Sequence, residues 1–277
     1  FSDGDTEVIL KSFKQWGEGC TKRFNGMFAF AIWDKEKKSL FLARDRFGIK
    51  PLYYMKTTNS FIFASNTKAL LAKKNLDKKI NPIGLHFQFS LHGVIPAPDT
   101  IIKNINKLPP SHQMTISKEK KIEITNYWNL DNKIIEQNVS AIDWKDNIRD
   151  SIIQSIRKRN FASDVPVGLL LSGGLDSSLL AALSAEAGIE ELITFSVGFE
   201  DYPEEKGSEF EFSDQIVKKF KTKHHKFLIS NDEVLSRLPE AVDAMSEPMF
   251  GQDSIAFFLL SEKVAQKIKV VQSGQGA

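Results

Sequence analysis

Between residues 148 and 273 the sequence alternates apolar runs of strand length with amphipathic stretches of helix length, and no other feature restricts the fold so strongly. Ile148, Ile152 and Ile156 recur at helical spacing ahead of VPVGLLLS (165–172). The helical stretch DSSLLAALSAEAG (176–188) then separates that strand from ELITFSVGF (191–199). After an acidic loop come a helix around FSDQIVKKF (212–220), a strand HKFLIS (225–230), two further helices and a last strand, IKVVQS (268–273). Strands that alternate with helices are joined by right-handed crossovers into a parallel sheet covered on both faces. This half is therefore expected to be α/β.

The first half has a different rhythm. Val8, Ile9, Phe13 and Trp16 are spaced as on a helix that Gly17 ends. FAFAIWD (28–34), SLFLARD (39–45), PLYYMK (51–56) and FIFAS (61–65) follow, divided by KEKK, RFGIK and TTNS. Runs that short between polar turns predict consecutive strands of an antiparallel meander. In FAFAIWD both faces are apolar, which predicts cover on both sides. The proline-rich stretch 93–112 reads as an ordered connection without regular structure. Residues 129–143 are the expected linker, which sets one domain over 1–130 and a second over 131–277.

Composition narrows the function classes. The chain has 277 residues, 42% of them apolar, enough for two cores. No apolar stretch approaches a membrane span. Its net charge of +2 is spread rather than clustered, against a nucleic-acid-binding face. The single cysteine, Cys20, excludes an internal disulfide framework and fits a reducing cytoplasm; beside an apolar, helical segment it reads as a buried structural thiol. Phe1 stands where a start methionine would, and the last residues stop at a glycine turn after a strand, so the chain reads as a piece of a longer protein.

In an open α/β sheet, ligands bind beyond the carboxyl ends of the strands. The segment LLLSGGLDSSLL (169–180) sits at such a place. Gly173 and Gly174 allow positive φ and a close approach of backbone amides to an anion. Ser172, Ser177 and Ser178 add hydroxyl donors, and the helix that follows directs its positive end to the same spot. Together these predict a pyrophosphate cradle. Asp176 would repel a phosphate unless a divalent cation lay between them, so it reads as a Mg²⁺ ligand. No Gly-Lys-Ser/Thr follows, which argues against the ordinary P-loop. A plain glycine turn with a serine N-cap is the competing reading. IKVVQSGQG also ends a strand in a Ser-Gly turn, which puts Ser273 and Gly274 on the same sheet edge and favours the nucleotide.

SGGLDSS resembles the pyrophosphate-binding loop of the N-type ATP pyrophosphatases. SDGDTEVIL, RFNGMFAFAIWD, ARDRFGIKPLYY, FASNTKAL, GVIPAPDTI, KLPPSH and NYWNL, in that order upstream, make nearly the whole chain similar to the glutamine-dependent asparagine synthetase family. The resemblance implies a partial Ntn-hydrolase-like glutaminase domain of α+β class. It implies next an α/β synthetase domain with the parallel sheet of the adenine-nucleotide alpha-hydrolase-like fold. It further implies that glutamine, ATP and a carboxylate acceptor are the substrates, Mg²⁺ the cofactor, a homodimer the assembly and the cytoplasm the location. Asp5 matches the aspartate that holds the α-amino group of glutamine; a helix N-cap is its competing local reading, and the two are compatible. Ser172, Gly173, Gly174, Leu175, Asp176, Ser177 and Ser178 match the pyrophosphate loop, Leu170 and Val197 the adenosine contacts, and Ser273 and Gly274 the residues that close over the nucleotide.

Three departures accompany the resemblance. The nucleophilic cysteine would lie before Phe1, and acidic residues and a lysine of the synthetase domain would lie after Ala277, so this chain alone is expected to be inactive. Gln275 stands where most members have a glutamate tied to acyl-adenylate formation. That change, with SEPMFGQDSIAFFLLSEKV (246–264), leans toward the N-acetylglutaminylglutamine amidotransferases, whose acceptor is an acylated glutaminyl peptide instead of aspartate. A β-lactam-forming relative and a non-catalytic nucleotide-binding module are the other readings. His224 and His225 have no metal-ligand spacing and read as solvated residues ahead of a strand. Arg157–Arg159 read as the polar end of a helix, and EDYPEEKGSEFE (200–211) as a solvated acidic loop.

Overall fold

The computed structural model describes residues 4–74, 76–130, 139–201, 207–249 and 253–274. The chain forms two compact units, one of Phe1–Ile134 with Met245–Phe250, the other of Ile135–Ala244 with Gly251–Ala277. None of the described helices is long and apolar enough to cross a membrane.

In the first unit, helix α1 (Asp5–Trp16) ends at Gly17, whose φ of 56° lets its N–H donate to the Phe13 carbonyl. Ile9 and Phe13 face the core, while Val8 and Trp16 are exposed. A 3-10 segment, Gly17–Arg23, carries Cys20, which is fully buried, and burial pushes its thiol pKa up. Strands β1 (Ala29–Asp34), β2 (Ser39–Arg44), β6 (His112–Ile116) and β7 (Ile122–Asn126) form an antiparallel sheet in the order β1-β2-β6-β7. Strands β3 (Tyr53–Lys56), β4 (Phe61–Ala64) and β5 (Asn106–Lys107) form a second, ordered β4-β3-β5. Helices α2 (Thr67–Leu71) and α3 (Pro82–Ser90) lie between β4 and β5 in sequence.

The four expected strands exist, but they are not one meander. The chain leaves the first sheet after Arg44, because the next turn is held by side chains. Asp45, almost fully buried, accepts the N–H groups of Phe47, Ile49 and Lys50 at 2.9–3.1 Å. The Arg44 guanidinium donates to the carbonyls of Gly48, Lys50 and Leu108 at 2.6–2.9 Å, and Tyr127 Oη donates to the Arg44 carbonyl at 2.6 Å. Burial pushes the Tyr127 phenol up to about 12. Two-sided cover of β1 is also overturned. Ile32 packs with Phe41 and α1, but β1 is an edge strand, and on its other face Ala31 is exposed and Trp33 is 57% exposed. The connection 93–112 is ordered, and part of it forms β5 against β3.

The segment Met245–Phe250 belongs to this unit although it is remote in sequence. Glu247 Oε2 accepts from Lys107 Nζ at 2.8 Å and from Tyr53 Oη at 3.2 Å. The Lys107 and Glu247 side chains are only 12% and 17% exposed. Burial, then the Glu247 charge, raises the Tyr53 pKa. Gln88 Nε2 donates to the Pro248 carbonyl at 2.9 Å, and Thr67 Oγ1 donates to that of Ser246.

The second unit follows the predicted alternation. Helix α4 (Ala141–Phe161), capped by Ser140 and basic at its far end, precedes β8 (Val167–Leu170), α5 (Leu175–Glu186) and β9 (Ile193–Phe199). Then come α6 (Phe210–Phe220), β10 (Lys223–Ile229), α7 (Asn231–Ala244), α8 (Asp253–Ala265) and β11 (Val270–Gln272). All pairings are parallel, in the order β10-β9-β8-β11. Leu169, Leu171, Ala181 and Ile216 form the core between the sheet and α5 and α6. Phe195, Ile229, Leu259 and Leu260 form the core against α7 and α8. Ile156 is buried against Leu183 of α5, whereas Ile148 is exposed.

The histidines differ from expectation. Both lie inside β10 and are half-buried. His224 Nδ1 is 2.8 Å from Thr194 Oγ1, while His225 stacks on Phe195 with ring centroids 5.3 Å apart. Neighbouring-strand side chains, absent from any local pattern, remove them from water.

Candidate functional site

The strand order places a switch point between β8 and β11: successive crossovers build β9 and β10 on one side of β8, and β11 returns to the other. Loops leaving adjacent strands then diverge and open a crevice at their carboxyl ends. The loop after β8 and the turn after β11 are the two that flank it. A cavity of about 460 Å³ lies there, with Leu170, Val197, Phe195, Phe257 and Leu260 as its apolar wall. Ser172, Gly174, Asp176, Ser177, Ser273 and Gly274 form its polar rim, with Leu175 among them.

The loop is built by three devices. Gly173 has φ +88°, and a Cβ there would lie 2.5 Å from Ser213 N and 2.6 Å from Phe212 Cβ, so only glycine lets the loop pass the start of α6. Ser172 Oγ lies 3.0 Å from Ser177 Oγ and accepts from Gly174 N at 3.3 Å. Ser177 Oγ also reaches the Gly174 carbonyl at 3.3 Å. Positive φ at Gly174 is not found: it is the N-cap of α5, with φ −68° and ψ 170°, because the turn is already made at Gly173. Gly174 serves instead as a small cap, leaving the first N–H groups of α5 directed at the crevice.

Gly274 comes closest to that helix end. A Cβ on it would lie 2.9 Å from Ser177 N and 3.1 Å from Asp176 Cβ. The two glycine turns therefore meet. Asp176 is in the first turn of α5 and exposed, and Leu175 is exposed beside it. Ser178 Oγ is buried with no hydrogen-bond partner, as is Gln272 Nε2 at the end of β11. A polar glycine loop at a helix N-terminus and beside an apolar wall can take a phosphate chain with an aromatic base attached. Among the described residues there is no group of three His, Cys, Asp or Glu suited to a metal. A cation at Asp176 would complete its shell from phosphate oxygens and water, which is how Mg²⁺ is commonly held.

Asp5 is the first residue of α1 in the first unit and is exposed; the N-cap is Gly4, which overturns the capping role for Asp5 because the helix begins one residue after that glycine. Gln275 lies outside the described residues. The acidic loop is not simply solvated at its start: Glu200 Oε2 accepts from Asn231 N at 3.0 Å and Asp201 Oδ1 from Gly207 N at 2.9 Å. Sequence reasoning missed Phe257 and Leu260, although their helix directly precedes β11. It also missed Ser196, which lines the cavity and donates its hydroxyl to the Leu171 carbonyl.

Comparison with known proteins matches one family model to each half of the chain. Residues 1–128 match the family model for a glutamine amidotransferase domain, and residues 147–277 match that for asparagine synthase. The chain is 35% identical over 285 residues to asparagine synthetase (glutamine-hydrolyzing) 3 of Bacillus subtilis (strain 168), covering 99% of this chain and 46% of that protein. It is 32% identical over 279 residues to asparagine synthetase (glutamine-hydrolyzing) 1 of the same organism, covering 100% of this chain and 42% of that one. The chain thus spans about half the length of the curated relatives it matches. Both domain models in this order, and near-complete alignment to these relatives, mean that the chain belongs to the glutamine-hydrolysing asparagine synthetase family.

Proposed function

We propose that the whole protein is an ATP-dependent amide ligase of two domains, with the boundary near residue 130. In the first, glutamine is hydrolysed to glutamate and ammonia. In the second, a substrate carboxylate attacks the α-phosphorus of ATP and expels pyrophosphate, and ammonia then displaces AMP from the acyl-adenylate to leave an amide. A carboxylate is a poor electrophile, and adenylation supplies its leaving group. The observation that carries this reading is the meeting of Gly274 with the first turn of α5 over a 460 Å³ cavity.

Each residue then has a task. Ser172–Ser178 hold the pyrophosphate, with Ser172 and Ser177 lining the cavity. Leu170 and Val197 flank the adenosine, and Ser273 and Gly274 close over the nucleotide. Asp176 would hold Mg²⁺, which screens the phosphate charge when bound. Asp5 pairs with the glutamine ammonium. The proposed setting is the cytoplasm, with a homodimer as the assembly.

Gln275 bears on the acceptor. An amide can donate a hydrogen bond to a peptide α-carboxylate that an ionised glutamate would repel. This favours an acylated glutaminyl peptide over aspartate.

The test uses the full-length protein and measures pyrophosphate and glutamate release together. Asp176→Asn should lower pyrophosphate release about tenfold or more, equivalent to ~1.4 kcal/mol in the barrier, and leave glutamine hydrolysis within twofold. Equal loss of both activities would assign Asp176 to the fold. Faster pyrophosphate release with aspartate than with the peptide would return the acceptor to aspartate.

A further inference from the structure

Pairing of β8 with β9 stops at Leu170 and Phe195, yet the two strands stay joined for one more residue. Leu171 N donates to the Phe195 carbonyl at 2.7 Å. In a continued parallel ladder the Leu171 carbonyl would accept the N–H of Val197, two residues beyond Phe195. It accepts from Ser196 Oγ instead. Ser196 is only 4% exposed and Leu171 1%, so this exchange takes place out of water, at the wall of the cavity.

Two consequences follow from one hydroxyl. Val197 N–H, which by strand alternation faces β8, has no ladder acceptor there among the described residues and is left at the cavity that Val197 lines. The Leu171 carbonyl and the Ser172 N–H belong to one planar trans peptide, so fixing the oxygen on β9 turns that N–H the opposite way, at the entry to the glycine turn.

We infer that Ser196 is a positioning residue for the nucleotide. It substitutes a side-chain bond for the last ladder bond, and so keeps Val197 N–H free for a ring-nitrogen acceptor while orienting the first amide of the phosphate loop. The inference rests on the nucleotide reading of the cavity. Its ligand class is a purine with an unprotonated ring nitrogen, as in adenine; guanine carries N–H at the corresponding ring position.

The test uses the full-length protein with ATP and GTP as probes, read by calorimetric binding and by pyrophosphate release. In Ser196→Ala the Leu171 carbonyl loses its donor, and Val197 N–H is drawn back to it. The ATP dissociation constant and KM should rise about tenfold, the size of one hydrogen bond. GTP binding should change less than twofold, kcat should stay within twofold, and the melting temperature should hold. Ser196→Thr, which keeps the hydroxyl, should restore the ATP preference. Unchanged ATP affinity in Ser196→Ala, or equal weakening of ATP and GTP, would overturn the assignment. Wild-type protein that binds no ATP would instead overturn the nucleotide reading and the inference together.

Discussion

Gly173 and Gly188 share a backbone conformation and differ in their surroundings, which makes them a matched pair. Both have φ +88°. An alanine at either site pays about 1–2 kcal/mol of left-handed strain and regains about 0.4–1 kcal/mol through the less flexible unfolded chain. These contributions are common to both and cancel in the difference. What remains is space. A Cβ at Gly188 meets nothing within 4 Å, whereas at Gly173 it lies 2.5 Å from Ser213 N and 2.7 Å from the Phe212 carbonyl carbon. Those are backbone atoms at the start of α6, so no rotamer change relieves the clash. Overpacking of this kind costs about 1–3 kcal/mol. Gly173→Ala should therefore be less stable than Gly188→Ala by about 1–3 kcal/mol, measured by urea unfolding followed by circular dichroism. Because relief requires the loop to move, Gly173→Ala should also weaken ATP binding, and Gly188→Ala should not. Equal stability of the two variants would refute the claim that α6 dictates glycine at this turn.

Arg44→Lys should destabilise the first unit by about 2 kcal/mol or more, because one ammonium cannot serve the carbonyls of Gly48, Lys50 and Leu108 that the planar fork reaches at 2.6–2.9 Å; thermal unfolding reports it, and a neutral substitution would show that water satisfies those carbonyls. His224 should make the second unit acid-sensitive. Burial first, then the charge of Lys226, holds its imidazole below the ordinary value of 6.5, with Asp214 opposing. A depressed folded-state pKa means that the unfolded chain binds the proton first, so stability is complete above 6.5 and falls as pH drops through the lowered value. Urea midpoints measured across that window should decline less in His224→Phe than in the wild type.

The second unit was readable because its central strands, β8 and β9, are largely buried and read as mainly apolar runs, and glycine marks the loops where the order of strands reverses. The antiparallel unit was harder for a physical reason. Whether SLFLARD and PLYYMK pair depends on Arg44 reaching Leu108, 64 residues away, and on Asp45 gathering three backbone amides. A local run of residues carries neither fact. The two-sided burial expected for FAFAIWD failed likewise, since apolar composition does not say which neighbour arrives. For His224 the missing information was Thr194 on the adjacent strand. Within the site, the crevice followed from strand order and turn glycines, whereas Ser196 looked like any strand serine until the ladder was seen to end beside it.

The discontinuity of the first unit bears on how the protein is made. Lys107 is held in its interior by Glu247, and the carbonyls of Ser246 and Pro248 engage Thr67 and Gln88. None of these partners has been synthesised when the ribosome passes Ile134, and 116 residues separate that point from Phe250 (250 − 134). At about 5–20 residues per second the nascent unit waits roughly 6–23 s for its last piece. During that interval Lys107 lacks its counter-ion, and the amino-terminal half is a folding intermediate, not a finished domain. A gene cut at the apparent domain boundary would make that intermediate permanent.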